Sequence, residues 1–248
     1  MRGPAKAPPI IRRALWSASS NAAAENGLEL GKDIAIADHG DLALAENDGD
    51  DGLIDAAIAA ALTADQCPIS LGGDHSVSYP IVRALHRFTG PVTILHFDAH
   101  PDLYDAFDGN RRSHASPFAR IMEEQFASRL VQVGIRTLNA EQRAQAQRFG
   151  VEIIPARGFD SRIVPLLEGP LYVSIDLDGL DPAFAPGVSH HEPGGLTVRE
   201  LIDTLHLQRA SLAGADVVEL NPDRDIHGMT AMVAAKLVKE LCAYAVAH

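Results

Sequence analysis

Three segments of the sequence each place histidine or carboxylate side chains directly after an apolar run. They read "LGGDHS", "LHFDAHPDLYD" and "SIDLDGLDP". The side chains in them that could bind a metal ion are His75, Asp98, His100, Asp102, Asp176 and Asp178. Several ionised carboxylates held a few ångströms apart repel one another unless a cation lies between them. We therefore interpret the three segments as parts of one metal site.

The composition of this ligand set indicates the metal and the chemistry. Carboxylate oxygens dominate and are joined by two imidazoles, which suits Mn²⁺ better than a structural zinc ion. Six ligands are too many for one ion that must keep an open position, so we predict two ions that share carboxylates. Two ions roughly 3.5–4 Å apart can bind and deprotonate one water molecule near neutral pH. Each segment alone also has a structural interpretation, because Asp and Ser often cap turns and helices.

The elements that must position these residues alternate along the chain. Short apolar, β-branched runs alternate with longer amphipathic stretches, a pattern typical of parallel strands joined by helices. Predicted strands cover residues 34–37, 68–71, 92–97, 131–135, 151–155, 171–176 and 216–220. Predicted helices cover residues 54–63, 77–87, 116–126, 140–149, 197–207 and 229–246. We predict one three-layer α/β/α domain over residues 1–248 with a mainly parallel sheet, in which the loops after neighbouring strands meet.

Charge and composition restrict the partners. The chain of 248 residues has a formal net charge of −12 and no block of Lys or Arg, which argues against nucleic acid or an anionic membrane as a partner. A small cationic substrate fits better. No apolar stretch has the length of a signal peptide core or a membrane span. Cys67 and Cys242 lie in apolar surroundings, so we expect buried, reduced thiols and a cytoplasmic protein.

In these segments the chain resembles the ureohydrolase family, which includes the arginases and agmatinases. The segments "EPGGLT" and "ELNP" extend the likeness towards the C-terminus. Within the family it is most similar to the plant-type arginases, through "APPIIRRALWSASSN", "DAHPDLYDAFDGNRRSHAS" and "DPAFAPGVSHHEPGG". The resemblance implies an arginase-like α/β/α fold, two Mn²⁺ ions per chain and hydrolysis of a guanidino group to urea and an amine.

The resemblance also implies which ligand serves which ion. Each ion takes one histidine and one carboxylate of its own, and two further carboxylates bridge both ions. His75 with Asp102 belongs to the first ion and His100 with Asp178 to the second, while Asp98 and Asp176 are the bridges. The neighbouring Asp74 and Asp181 are expected to be structural.

Beyond the ligands, the resemblance implies catalytic and substrate-binding residues. Besides Asp102, these include His114 in "RRSHAS", which matches a mobile-loop histidine that carries a proton between solvent and the departing amine. Imidazole suits this role because it titrates near neutral pH. Glu219, at the end of "DVVEL", matches a glutamate that pairs with the guanidinium. Candidate wall residues of the substrate site are Tyr104, Asn110, His190 and His191. The other histidines, His96 among them, are interpreted as structural.

Two departures from the family pattern bear on the fold and on specificity. The family's first strand, which ends in Gly-x-Pro, has no counterpart before "APPIIRRAL", so either the sheet lacks an edge strand or the sequence starts late. Tyr104 and Asn139 stand where animal-type arginases have the asparagine and aspartate that hold the amino acid's α-groups. L-arginine, giving L-ornithine and urea, is favoured as substrate by the plant-type likeness. Agmatine and 4-guanidinobutyrate are the alternatives.

Different kinds of protein remain as alternatives. A ureohydrolase-like protein that binds a ligand without turnover would be expected to lack a ligand, His114 or Glu219, and none is missing. A zinc deacylase of similar fold is disfavoured by the two-histidine, four-carboxylate set. Because family members commonly form trimers or hexamers, we expect a homo-oligomer.

Overall fold

Six parallel strands form one sheet in the computed structural model, which describes residues 2–47 and 49–248. The strands are β1 (Ile69–Leu71), β2 (Val92–Phe97), β3 (Ala127–Ile135), β4 (Glu152–Pro155), β5 (Leu171–Asp176) and β6 (Leu212–Val218). Their order across the sheet is β1-β6-β5-β2-β3-β4, and every neighbouring pair is parallel. Residues of β2 and β5 are buried throughout, as expected for strands covered on both faces.

Helices cover both faces of this sheet. They are α1 (Ala7–Leu15), α2 (Asp50–Thr63), α3 (Ser78–Thr89), α4 (Pro117–Glu123), α5 (Ala140–Phe149), α6 (Val198–Leu207) and α7 (Met229–Ala247). Alternate residues of a strand point to opposite faces: Leu95 and Phe97 pack in the cluster with α1, α6 and α7, whereas Val92 and Ile94 pack with α2 to α5. The predicted three-layer α/β/α architecture is confirmed.

The strand order determines where a site can form. From β2 the chain winds outward through β3 to β4, and then returns to β5 and winds the other way to β6. The direction therefore reverses between the adjacent strands β2 and β5. Ligands of open parallel sheets bind outside the carboxyl ends of the strands at such a switch point.

Sequence patterns located most of these elements. The strands predicted at 92–97 and 171–176 and the helix at 140–149 have the predicted bounds. The strand predicted at 34–37 is wrong, because Ile34 makes only a single bridge, to Leu30, and the following residues do not join the sheet. Helix α1 has no counterpart among the predicted helices; its two prolines lie in the first turn, where proline is compatible with a helix.

Two other observations concern the cysteines and membranes. Both cysteines are free, as expected, but Cys67 is exposed and Cys242 is only partly buried, so the prediction of buried thiols is wrong. No helix among the described residues combines the length and the apolar character needed to cross a membrane.

Candidate metal centre and active site

The carboxyl ends of β2 and β5 bring the first two carboxylates together. Phe97 and Ile175 are register partners, so Asp98 and Asp176, the next residue of each strand, leave the sheet side by side. Both carboxylates are buried. Gly179 makes this close approach sterically feasible, because a Cβ atom there would lie 2.8 Å from the backbone nitrogen of Asp98.

His75 enters the same place from the 3-10 turn that follows β1. Asp74 caps this turn by accepting the backbone N–H of Ser76, in agreement with its expected structural role. Three carboxylate oxygens lie 3.1 or 3.2 Å from the buried Nδ1 atom of His75, and they belong to Asp98, Asp102 and Asp176. No polar atom of the described residues forms a hydrogen bond with this buried nitrogen. Nitrogen and oxygen lone pairs therefore converge on a point that a cation would satisfy.

A second group of ligand atoms lies beside the first. Nδ1 of His100 is 3.2 Å from Oδ2 of Asp178 and 3.4 Å from Oδ1 of Asp98. The other oxygen of Asp98, Oδ2, is the one near His75. Asp98 thus presents one oxygen to each group, which is the geometry of a carboxylate that bridges two ions.

The electrostatics of the cluster show a shortage of positive charge. Burial, together with the charges of Asp178 and Asp98, holds the pKa of Asp176 well above its usual range. Burial and the charge of Asp98 raise the pKa of Asp178 to about 7. Burial lowers the pKa of His100, but Asp178 and Asp98 outweigh it and raise that pKa to about 12. Protons or metal ions must therefore be held here.

A buried relay behind His75 orients its ring. The carboxylate of Asp216 accepts hydrogen bonds from Ser78, Tyr172 and Ser174, the last over 2.7 Å. Because Ser174 donates its only hydrogen to Asp216, its oxygen accepts from Nε2–H of His75 at 2.9 Å. Nδ1 is then the atom that faces the carboxylates. Sequence analysis missed Ser174 and Asp216, although Ser174 shares a strand face with Asp176 two residues later.

Glu219 was predicted to lie inside a strand at 216–220, but strand β6 ends at Val218, one residue before it. Its backbone is in the left-handed region, with φ 65°, and its Oε1 accepts the backbone N–H of His75 over 3.0 Å. Burial and the charges of Asp74 and Asp178 raise the pKa of Glu219 to about 8. A buried carboxylate in this setting favours a cationic partner.

The predicted wall residues differ in how they lie relative to the cluster. The rings of His114 and His190 are stacked, and His190 also meets His100 edge to face with centroids 6.2 Å apart. The phenol of Tyr104 accepts a hydrogen bond from the side-chain amide of Asn139 over 2.6 Å. His190 thus connects His114 to a candidate ligand.

Two other predicted wall residues point elsewhere. Asn110 is exposed and accepts the backbone N–H of Arg112, and Nε2 of the exposed His191 bonds to the carbonyl of Pro186. In the described part of the chain, neither side chain forms a hydrogen bond with a residue of the cluster.

His96 lies closer to the cluster than the sequence indicated. Its ring is fully buried, and Nε2 is 2.8 Å from Oδ2 of Asp98. Burial lowers the pKa of His96, with Asp98 acting in the opposite direction. The interpretation of His96 as an ordinary core residue overlooked this contact, although His96 and Asp98 are two positions apart and so share a strand face. Asp181, expected to be structural, accepts the backbone N–H groups of three loop residues, Ala183, Gly194 and Gly195.

Fold and site together define an α/β protein with a candidate two-ion centre at the carboxyl edge of a parallel sheet. Residues 1–243 match the model of the Arginase family. The chain belongs to the arginase family and is a hydrolase of that family.

Similar proteins include arginases and a related ureohydrolase. The chain is 52% identical over 261 residues to "Arginase 1, mitochondrial" of Arabidopsis thaliana, covering 98% of this chain and 76% of the relative. The solved arginase of Medicago truncatula superposes with a TM-score of 0.94 at 46% identity, covering 99% of this chain and 82% of that one. An N(1)-aminopropylagmatine ureohydrolase of Thermus thermophilus is 40% identical over 185 residues, covering 71% of this chain and 62% of the relative.

The prediction of a cytoplasmic protein is contradicted by these comparisons. The similar plant arginases carry names that place them in mitochondria, or in chloroplasts and mitochondria, so the relatives point to an organelle. The prediction depended on reduced cysteines and on the lack of an apolar signal. Neither feature distinguishes among compartments that keep thiols reduced.

Proposed function

We propose that the protein is a dinuclear manganese hydrolase that converts L-arginine and water to L-ornithine and urea. The observation that carries the proposal is the position of Asp98, which offers one carboxylate oxygen to the group around His75 and the other to the group around His100. The high identity to proteins named arginases supports the choice of reaction.

The residues present fit a pair of manganese ions. In the proposal, His75 and Asp102 would hold one ion and His100 and Asp178 the other, and Asp98 and Asp176 would be shared by both. The orphaned Nδ1 atom of His75 and its three carboxylate neighbours favour this fit. Oxygen-rich sets with one imidazole per ion suit Mn²⁺. When bound, the two ions would neutralise the carboxylates and lower the pKa of a water molecule between them.

Glu219 is the proposed partner of the substrate's guanidinium group. Its side chain is nearly fully buried, and its carboxylate accepts the backbone N–H of His75, which fixes the carboxylate next to the proposed ligands. A guanidinium offers planar N–H donors that match a carboxylate and would offset the cost of burying its charge. Glu219 would thereby hold the guanidinium carbon in the orientation that attack by water requires.

His114 is the proposed proton carrier. An imidazole can accept and donate a proton near neutral pH, and the departing amine of ornithine must gain one when the C–N bond breaks. His114 lies on the loop that follows the ligand segment and is partly exposed, so its ring has access to solvent. His114 stacks on His190, which also contacts His100 edge to face, so the ring of His114 lies near the proposed metal centre.

Recognition of the amino-acid end is proposed to involve Tyr104. The side-chain oxygen of Asn139 caps α5 by accepting the N–H of Gln142, and its amide donates to the phenol of Tyr104. Asn139 keeps one amide hydrogen, and the phenol of Tyr104 still has its own hydrogen to donate. A carboxylate is a suitable acceptor for it, and arginine has one where agmatine has none.

The test compares substrates directly. Protein loaded with Mn²⁺ is assayed for urea release from L-arginine, agmatine and 4-guanidinobutyrate, and the three kcat/KM values are compared. We expect arginine to be preferred. Preference for either of the other two would reject L-arginine as the substrate. Absence of urea from all three at full metal content would reject hydrolysis of a guanidino group as the reaction.

Agmatine-like substrates form the second candidate. The observation that favours them is the 40% identity to a protein named N(1)-aminopropylagmatine ureohydrolase. A substrate of this class has no carboxylate and carries a second cationic end, which the net charge of −12 would attract.

Two further expectations accompany the proposal. We propose that residues 1–248 form one domain, which predicts a single cooperative unfolding transition in calorimetry. We also propose a homo-oligomer, trimeric or hexameric, which light scattering on the purified protein would test.

A further inference from the structure

His96 and Gln132 form a buried polar pair directly behind the proposed bridging ligand. They are register partners on the adjacent strands β2 and β3, and both side chains are fully buried. Nε2 of His96 lies 2.8 Å from Oδ2 of Asp98, and Nδ1 lies 3.0 Å from Nε2 of Gln132. The same nitrogen of Gln132 lies 2.6 Å from the carbonyl oxygen of Pro101, in the loop between His100 and Asp102.

The contact to Pro101 fixes the hydrogen positions of the pair. A carbonyl oxygen only accepts hydrogen bonds, so the atom of Gln132 facing it must be the amide nitrogen. That nitrogen has two hydrogens, and the second points to Nδ1 of His96, which must therefore accept. A neutral imidazole that accepts at Nδ1 carries its hydrogen on Nε2. His96 consequently donates to the carboxylate of Asp98 and has no lone pair on Nε2 for a metal ion.

We propose that His96 and Gln132 are positioning residues that fix Asp98 as the bridging ligand, with His96 donating to Oδ2 of Asp98 and Gln132 setting the tautomer of His96. The inference depends on the proposed function, since it assumes that Asp98 binds both ions. A carboxylate oxygen has two lone pairs, so Oδ2 can accept from His96 and still face the group around His75. Gln132 additionally anchors the ligand loop through Pro101.

Packing alone does not account for the pair. The ring of His96 lies against Phe118 with centroids 4.0 Å apart, a contact that an apolar side chain would make equally well. Burying an imidazole and an amide carries a desolvation cost that only their hydrogen bonds offset. The side chain of Gln132 is oriented so that its amide nitrogen meets His96 and Pro101, although this leaves its Oε1 without a hydrogen-bond partner among the described residues.

The experiment measures Mn²⁺ binding by titration calorimetry and elemental analysis of purified variants. His96→Met keeps the volume but removes the donor, and Gln132→Met removes both amide hydrogens. We expect each to weaken Mn²⁺ binding about 10–100-fold, the usual effect of losing a hydrogen bond to a metal ligand. His96→Gln places an amide N–H near the position of Nε2, and we expect it to restore affinity to within about threefold of the wild type.

The matched control is His86→Met. His86 also packs against a phenylalanine, Phe126, at 5.1 Å between centroids, but lies on α3 outside the proposed centre. We expect it to bind Mn²⁺ as the wild type does. Circular dichroism and melting temperature show whether each variant folds. If His96→Met does not fold, Gln132→Met still tests the inference independently.

Each outcome is decisive. Wild-type affinity in both His96→Met and Gln132→Met would overturn the inference while leaving the proposed function intact, as would equal weakening in His86→Met. Loss of one full equivalent of Mn²⁺ in His96→Gln would make His96 a ligand and would also overturn it. A wild-type protein that binds no Mn²⁺ would overturn the proposed function together with the inference.

Discussion

The imidazole rings of His114 and His190 lie nearly parallel, with 8° between their planes and 5.4 Å between their centroids. His190 also meets the ring of His100, so it links the proposed proton carrier to a proposed ligand. The two residues are far apart in sequence and lie on different loops, which the contact joins. Several properties of the enzyme should depend on such contacts.

Removal of the stacking partner should slow turnover without removing metal. We predict that His190→Ala lowers kcat for arginine by about tenfold. Without the stacking contact the ring of His114 is no longer held in place, so part of its contribution as a proton carrier is lost. His190→Phe keeps an aromatic ring and should retain more activity. Steady-state kinetics and Mn²⁺ content check this, and unchanged kcat in His190→Ala would show that the stacking has no catalytic role.

The phenol of Tyr104 should distinguish arginine from agmatine. Tyr104→Phe removes one hydrogen bond to a charged group, worth about 1.5–3 kcal/mol, so we predict that KM for arginine rises at least about tenfold. The KM for agmatine, which has no carboxylate, should change little. Parallel kinetics on both substrates provide the measurement. An equal effect on the two would mean that Tyr104 does not bind the carboxylate.

Glycine at 179 should be required for the close packing of the two ligand strands. In Gly179→Ala the new Cβ would lie 2.8 Å from the nitrogen and 3.0 Å from the Cα of Asp98, so the backbone must shift. We predict loss of Mn²⁺ affinity and a lower melting temperature. Gly52→Ala is the control, since its Cβ meets nothing within 4 Å and alanine in helix α2 should stabilise by about 0.5–1 kcal/mol. Equal behaviour of the two variants would contradict the steric argument.

Metal binding should weaken as the pH falls. The pKa of Asp178 is raised to about 7 and that of His100 to about 12, so these groups hold protons that an incoming ion must displace. Because Asp178 is protonated below about pH 7, Mn²⁺ binding there releases one more proton than above it, where only His100 of this pair must lose one. The affinity should therefore fall by up to about tenfold more per pH unit below pH 7 than it does above pH 7. Calorimetry at pH 6 and pH 8 in buffers of different ionisation enthalpy counts the protons. A pH-independent affinity would contradict this prediction.

Loss of the proposed bridge should remove both metal and activity. We predict that Asp98→Ala abolishes urea release and lowers Mn²⁺ content, because both ligand groups lose an oxygen at once. Asp160→Ala is the control, since within the described part of the chain Asp160 forms an ion pair only with the exposed Arg162 and caps a short turn. Full activity in Asp98→Ala would reject the two-ion centre.

The local sequence located most elements, and it predicted the candidate ligands that the structure brings together, whose binding of metal stays a prediction. Strand β2 is buried throughout and mostly apolar, and its end is recognisable in the change from Phe97 to Asp98. The polar segments after β1, β2 and β5 each lie at the carboxyl end of a parallel strand, so their convergence follows from the fold class alone. Residue type and strand position therefore predicted the candidate centre.

Other features depended on contacts between distant parts of the chain. A strand exists only where a partner strand pairs with it, and among the described residues "IAIA" at 34–37 has only the isolated bridge of Ile34 to Leu30, despite its β-branched residues. Likewise, the cellular compartment is not encoded in the residues that build the site.

The roles of His96, Gln132 and Asp216 were also invisible in the sequence. A buried polar side chain acquires its role from the atoms that satisfy it, and those atoms are supplied by neighbouring strands. The sequence by itself determined which chemical groups are present and which strand ends they follow. Only the tertiary structure decided which oxygen faces which nitrogen, because hydrogen-bond partners are set by the register and packing of strands that are distant along the chain.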